Sequence, residues 1–187
     1  MCSTIDGIVA RSDASRRAAP GWSEGRPRAL AFLPRFLFDD AGPAWRYILF
    51  AWPVVALPAL ALGWVSSKLA PDLAGPSVAG ASFGVVAFAV VIVSPLVETI
   101  VMTGPVVLLD RWLGPLPAVI GSAAIWGVAH SLAAARWGLV IWWPFLIFSI
   151  AWLSWRGRGY WRAVGIVFAI HALNNAGPIA VLLFARA

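Results

Sequence analysis

The chain has 187 residues, of which 61% are apolar and only 12% are charged. Soluble domains are normally about 45–50% apolar and about 25% charged, so this composition excludes a disordered chain, a nucleic-acid-binding domain and an ordinary water-soluble globule. Residues 1–28 are polar, whereas 43–187 is almost continuously hydrophobic. We therefore expect a flexible cytoplasmic tail over 1–28 and a membrane-embedded helical domain over 29–187.

The first apolar stretch after the tail, Ala29 to Phe38, is interrupted by Pro34 and is too short to span a bilayer. Such a segment is typical of the membrane interface, where apolar side chains enter the lipid from the side. We expect it to lie there, with Phe32, Phe36 and Phe38 in lipid; the alternative is a disordered continuation of the tail.

Longer apolar runs follow in chain order. Membrane spans are predicted at about 46–66, 78–109, 117–135, 138–155 and 163–184. The second run exceeds the roughly 30 Å hydrocarbon core at about 1.5 Å per residue, so we expect one span with a helical extension that breaks at Pro95 and at Gly104-Pro105. The predicted fold class is all-α: a polytopic transmembrane helix bundle of about five spans plus a short interfacial N-terminal segment.

The distribution of basic residues predicts the orientation. With the tail inside, eleven basic residues fall on the inner side, and only Lys68, Arg136 and Arg186 fall outside, which obeys the positive-inside rule. Thirteen arginines against one lysine indicate a GC-rich, bacterial genome. We therefore expect an integral protein of a bacterial cytoplasmic membrane with its N-terminus inside, in contact with the lipid bilayer and with no nucleic acid.

Several polar side chains lie inside these apolar segments, where an ionised group costs about 2.5–3.5 kcal/mol on insertion scales. Glu98, His130 and His171 lie on different predicted spans, so a bundle can bring them together. Asn175 follows His171 by one helical turn, and Trp126 precedes His130 by one, so each pair shares a face. A lone membrane glutamate can also cap a helix or pair with an arginine, but one carboxylate with two imidazoles is hard to explain as packing.

Two chemistries suit this set. A carboxylate and a neutral imidazole can remove a proton from water for attack on an amide carbonyl, while His171 and Asn175 donate hydrogen bonds to the oxyanion. Alternatively, Glu98, His130 and His171 can form a His₂Glu site for a divalent metal such as zinc. The first chemistry requires no cofactor, and the second requires a divalent metal. No convincing Ser, Cys or Lys nucleophile lies on these faces, which favours direct hydrolysis over an acyl-enzyme.

Three segments resemble motifs of the CPBP family, the CAAX prenyl protease and bacteriocin-processing type of intramembrane protease, also called Abi proteins. The segment Ser94–Gly104 resembles its Glu-Glu-x-x-x-Arg region, Trp126–His130 resembles its Phe-x-x-x-His motif, and His171–Asn175 is similar to its His-x-x-x-Asn motif. The resemblance covers about residues 76–180. It implies that Glu98 and His130 activate water.

By the same resemblance, His171 and Asn175 hold the developing negative charge. The second Glu and the Arg of the first motif are replaced by Thr99 and Thr103, which are one turn apart and can bond to each other or to the backbone. Replacement of both charged residues is easier to tolerate than replacement of one, because a single replacement would leave the other charge unpaired inside the membrane. Both threonines are expected, with Trp126, to line the substrate cavity.

The leading functional expectation is an intramembrane endopeptidase that acts on a membrane-associated peptide or protein. The first alternative is a non-catalytic membrane immunity or scaffold protein of the same fold, favoured by Thr99 and Thr103. The second is a small proton-coupled transporter, since membrane Glu and His residues also form proton relays; the absence of a pair of broken repeats disfavours it.

Overall fold

The computed structural model of the protein describes Trp22, residues 25–73 and residues 82–184. These residues contain no β-strand, and five of their helices are long and apolar enough to cross a membrane. The helices are α1 (Ala44–Leu69), α2 (Phe83–Leu113), α3 (Pro115–Ala133), α4 (Ala135–Trp155) and α5 (Tyr160–Phe184). The predicted all-α transmembrane bundle is therefore confirmed, and the chain is an integral membrane protein. Most of the flexible tail predicted over 1–28 lies outside the described residues.

Tight turns make successive helices from α2 to α5 antiparallel. Gly114, between α2 and α3, has a φ of +85°, a left-handed conformation that glycine adopts readily. Pro115 then occupies the first position of α3, where its missing N–H costs nothing. Only Ala134, in an extended conformation, separates α3 from α4.

One end of the bundle gathers the C-termini of α2 and α4 and the N-terminus of α5. The N-terminus of α1 lies there too, because Tyr47 packs edge-on against Trp155 with 5.4 Å between ring centroids. We call this end the arginine pole. It carries Arg26, Arg35, Arg46, Arg111, Arg156, Arg158 and Arg162.

Helix α2 is irregular directly before Pro95. Its 31 residues are α-helical on both sides of a π-helical segment at Ala89–Val93. Proline lacks an N–H and crowds the carbonyl four residues earlier, and a widened turn accommodates this crowding. The irregularity thus lies beside Pro95, whereas the break expected at Gly104-Pro105 is absent, because the helix continues through Pro105 to its end.

Helix α4 is the centre of the bundle. Residues 144–155 are all buried, and α1, α3 and α5 pack around them. The backbones of α3 and α4 approach each other closely near His130. A Cβ atom added to Gly138 would collide with the carbonyl oxygen of Gly127 and with Ser131. Glycine at this crossing therefore brings α3 close to α4 and fixes the height of His130.

The segment before α1 is tied to α4 at the arginine pole. The indole N–H of Trp22 donates to the Ser154 hydroxyl at 3.0 Å, and that hydroxyl lies 2.7 Å from the carbonyl oxygen of Leu37. Tyr47 donates to the same carbonyl at 2.9 Å. Two parts of the segment, around 22 and around 37, are thus held against the same turn of α4.

This packing changes the environment expected for the three phenylalanines. Phe32 is exposed, in agreement with lipid contact, and Phe36 is half-buried. Phe38, by contrast, is only 6% exposed and packs edge-on against Trp22, with 5.0 Å between ring centroids. The expectation that Phe38 enters lipid is wrong, because the bonds to Ser154 draw that part of the segment into the protein.

Candidate active site

Three ionisable side chains from three helices meet inside the bundle. Glu98 lies halfway along α2, His130 near the end of α3 and His171 in the middle of α5. Oε2 of Glu98 is 3.9 Å from Nε2 of His130 and 3.7 Å from Nε2 of His171. Both distances exceed that of a direct hydrogen bond and are typical of groups that a single water molecule can bridge. The structure therefore brings the predicted trio to one centre.

Ser94 orients the carboxylate of Glu98. Its hydroxyl donates a hydrogen bond to Oε1 of Glu98, from one turn earlier on the same face of α2. Oε1 is thereby occupied, and Oε2 is left for the two imidazoles. Sequence reasoning missed Ser94 as a site residue, although its i, i+4 spacing from Glu98 was the signal that could have found it.

The ring of His130 is fixed by its own helix. Its Nδ1 lies 2.9 Å from the main-chain oxygen of Trp126. A carbonyl oxygen only accepts, so the neutral ring carries its hydrogen on Nδ1 and turns an unprotonated Nε2 toward Glu98. Trp137 packs edge-on against this ring, with 4.7 Å between ring centroids. His130 is therefore positioned as a proton acceptor.

His171 has the complementary arrangement. Its Nδ1 is buried and has no hydrogen-bond partner among the described residues, while its Nε2 faces the acceptor oxygen of Glu98. That contact favours the tautomer with hydrogen on Nε2. Phe148 packs on the imidazole at 4.5 Å between ring centroids. One imidazole thus offers a lone pair to the centre and the other an N–H.

An aromatic wall from α4 closes the site. Phe145 stacks on Trp126, with 4.3 Å between ring centroids and 10° between the planes. The same ring lies 5.7 Å from the ring of His130 and 5.6 Å from that of His171. Trp126 thus lies beside the site, as expected. Phe145 was missed because an apolar residue in a buried apolar helix gives no distinguishing signal.

Asn175 is engaged elsewhere. Its amide nitrogen donates to the main-chain oxygen of Val90 at 3.0 Å, and its side-chain oxygen accepts from Asn174 at 3.3 Å. Val90 lies in the π-helical segment of α2, where the backbone ladder is irregular. No hydrogen bond joins Asn175 to Glu98 in the part of the chain that is described, so this amide fastens α5 to α2.

The two threonines of the first motif differ in their environment. The Thr103 hydroxyl lies 2.8 Å from the carbonyl oxygen of Ile100 and 3.2 Å from the Tyr160 hydroxyl, which begins α5. The Thr99 hydroxyl is buried with no partner in the described ranges, so the two threonines do not bond each other. Thr103 therefore links α2 to α5 at the position where the motif has its arginine.

The side chains do not fit the zinc site that the sequence left open. Within the described residues, no group of three His, Cys, Asp or Glu side chains is arranged to hold a metal ion. Ligands that lie about 2.0–2.2 Å from a tetrahedral zinc ion are about 3.3–3.6 Å from one another, slightly less than the 3.7 and 3.9 Å between Oε2 of Glu98 and the two Nε2 atoms. A metal-bound histidine also normally donates its second N–H, and Nδ1 of His171 has no acceptor there.

No family model matches the chain, and no curated protein or solved structure is significantly similar to it. The fold and the site define a class: a helical integral membrane protein with a Glu–His–His centre inside the bundle, in which both histidines are buried. The resemblance to the CPBP family rests on the three sequence motifs alone.

Proposed function

We propose that the protein is an intramembrane endopeptidase that hydrolyses a peptide bond of a membrane-associated protein or peptide. The observation that carries the proposal is that one oxygen of Glu98 faces Nε2 of both His130 and His171. Ionisable groups are costly inside a membrane protein, and packing alone requires none. Their convergence from three helices is best explained by chemistry at that point.

Water is the nucleophile in this mechanism. A water molecule between Oε2 of Glu98 and Nε2 of His130 meets two acceptors and can donate a hydrogen bond to each. Transfer of one proton to this pair leaves a hydroxide-like oxygen that attacks the carbonyl carbon of the substrate. The same proton then goes to the leaving amine.

His171 stabilises the negative charge that develops on the carbonyl oxygen. Its Nε2–H is fixed between Phe145 and Phe148 and away from bulk solvent. A pre-oriented donor in such surroundings contributes strongly to catalysis. Asn175 joins this role only if its amide leaves the carbonyl of Val90.

We place the protein in the CPBP family on the strength of its three motifs, because three of the residues they align, Glu98, His130 and His171, meet in space. Glu98, His130 and His171 then have the roles that the resemblance implies. We also place the arginine pole at the cytoplasmic face of a bacterial membrane. Seven arginines of the described residues lie at this pole, and Lys68 and Arg136 lie at the opposite end of the bundle, with Arg28 assigned to neither, in keeping with the positive-inside rule.

The second candidate function is that of a non-catalytic immunity or scaffold protein of the same fold. Two observations favour it. The charged pair of the first motif is replaced by Thr99 and Thr103, and the amide of Asn175 is committed to Val90. In that case Glu98 and the two imidazoles only hold three helices together.

Substitution of Glu98 separates the two functions. Cells that express the wild type, Glu98→Gln or no protein are compared by mass spectrometry of newly formed peptide N-termini. Asp72→Asn is the matched control, because it makes the same acid-to-amide change at an exposed turn after α1. The protease proposal expects a set of cleavages present with the wild type and Asp72→Asn and absent with Glu98→Gln. A biological effect that persists in full with Glu98→Gln would favour the scaffold.

A further inference from the structure

A cavity of about 210 Å³ lies at the arginine pole, far along the bundle from Glu98. Its walls are the first turn of α1, the segment before that helix and the end of α4; the residues that matter are Phe36, Asp39, Arg46, Tyr47, Phe50 and Trp155. The volume is below the roughly 300 Å³ at which pockets for drug-sized ligands begin. It therefore suits a small polar headgroup better than a whole organic ligand.

The N-terminus of α1 gives the cavity a positive end. The helix has 26 residues, and Pro43 before it provides no side-chain cap for its first turn. Unsatisfied N–H groups and the helix dipole make such an end attractive to anions. Arg46 lies in this turn, is exposed, and has no carboxylate within ion-pair distance among the described residues.

Trp155 in the cavity wall lies close to two further arginines of the pole. Trp155 is completely buried, and its indole N–H has no hydrogen-bond partner in the part of the chain that is described. Buried indole N–H groups normally have a partner. The guanidinium groups of Arg158 and Arg162 lie 5.7 and 5.6 Å from the centre of the same ring. Arg158 is paired with Asp40 at 2.9 Å, so among the described residues Arg162 supplies the unpaired positive charge beside this ring.

The surrounding charge favours an anion in spite of Asp39, the acidic residue in the wall. Its carboxylate accepts the main-chain N–H of Ala41 at 2.8 Å. Arg26 and Arg35 line an adjoining cavity that shares Asp39, and neither forms an ion pair with it. Three arginines, counting Arg46, thus line the two cavities that share Asp39.

We propose that this cavity binds the phosphate of an anionic phospholipid headgroup. In the bound state the guanidinium of Arg46, at the N-terminus of α1, holds the phosphate oxygens. The site lies at the end of the membrane spans, where lipid headgroups are found, and exposed apolar side chains of α1 such as Phe50 continue from it along the bilayer. A lipid is therefore favoured over a free anion, because its acyl chains can follow that surface.

The test is native mass spectrometry of the purified full chain in detergent, titrated with phosphatidylglycerol or with phosphatidylcholine. We expect preferential retention of phosphatidylglycerol, and at least about tenfold weaker binding after Arg46→Gln, because this change removes a charge-assisted hydrogen bond to the phosphate. Arg111→Gln is the matched control, because it removes the same charge from the same pole outside the cavity. It should leave the affinity within about twofold of the wild type.

A second variant tests the wall of the cavity. Asp39→Asn removes the opposing charge and should tighten phosphatidylglycerol binding, whereas loss of a merely structural residue would weaken it. Equal weakening by Arg46→Gln and Arg111→Gln would overturn the proposal in favour of diffuse attraction to the pole. Equal retention of the two lipids would also overturn it, and so would displacement of phosphatidylglycerol by an equal concentration of inorganic phosphate.

Discussion

Nδ1 of His130 donates its hydrogen to the main-chain oxygen of Trp126 at 2.9 Å, and this bond decides which ring nitrogen faces Glu98. The acceptor belongs to the backbone, one helical turn earlier, so the tautomer is set by the α3 helix itself. The Trp126 side chain has a different task, which is to stack on Phe145. The two contributions can be separated by substitution.

Trp126→Phe keeps an aromatic ring on Phe145 and leaves the backbone carbonyl in place. We expect unchanged cleavage and a loss of stability below about 1.5 kcal/mol. Trp126→Ala removes the stack and should cost about 3–5 kcal/mol, measured by thermal unfolding in detergent. A large loss of cleavage by a stably folded Trp126→Phe would show that the indole itself takes part in the reaction.

Ser94→Ala should reduce cleavage while the fold is retained. The hydroxyl of Ser94 holds Oε1 of Glu98, and a hydrogen bond to a charged group contributes about 1.5–3 kcal/mol. The expected fall in kcat is about 10- to 100-fold. Ser67→Ala is the control, because the Ser67 hydroxyl bonds only the carbonyl of Trp64 on α1, at 2.7 Å. Equal cleavage rates for the two variants would show that Ser94 does not contribute to the site.

Gly138→Ala should disturb the α3–α4 crossing. The added methyl group collides with the carbonyl oxygen of Gly127 and with Ser131, and overpacking of this kind costs about 1–3 kcal/mol. Because His130 lies at the same crossing, cleavage should fall together with the melting temperature. Gly165→Ala, on an open face of α5 with no atom within 4 Å of the added group, should leave both unchanged. A Gly138→Ala protein with unchanged cleavage and melting temperature would contradict the close approach of α3 to α4.

Asn175→Ala distinguishes two roles of the Asn175 amide: linking α5 to α2, and donating a hydrogen bond to the oxyanion. If the amide only ties α5 to Val90, its loss lowers stability by about 0.5–1.5 kcal/mol and reduces kcat less than tenfold. That is the result we expect from the bond at 3.0 Å. A fall of about 10²- to 10³-fold in kcat with unchanged stability would instead assign Asn175 to the oxyanion. Asn174→Ala, which removes only the donor to the Asn175 side-chain oxygen, serves as the control.

The sequence was sufficient to predict the membrane spans and to identify the ionisable residues inside them. Glu98, His130 and His171 could be singled out because ionisable groups in apolar helices are rare. Ser94 could have been found from its spacing to Glu98, whereas Phe145 and the burial of Phe38 could not be assigned, because an apolar side chain in an apolar segment gives no distinguishing signal. Their roles depend on the rotation of each helix about its axis and on its shift along that axis relative to its neighbours. Gly138 and the π-helical segment determine this rotation and shift.

The most direct test of the central claim uses purified protein in lipid vesicles and a peptide substrate found by the N-terminal comparison. Glu98→Gln, His130→Gln and the double variant are assayed beside the wild type at equal folded concentration. Because both side chains act on the same water molecule, each single change should reduce kcat more than about 100-fold and the double change should be no worse. Cleavage at the wild-type rate by either folded single variant would contradict the account.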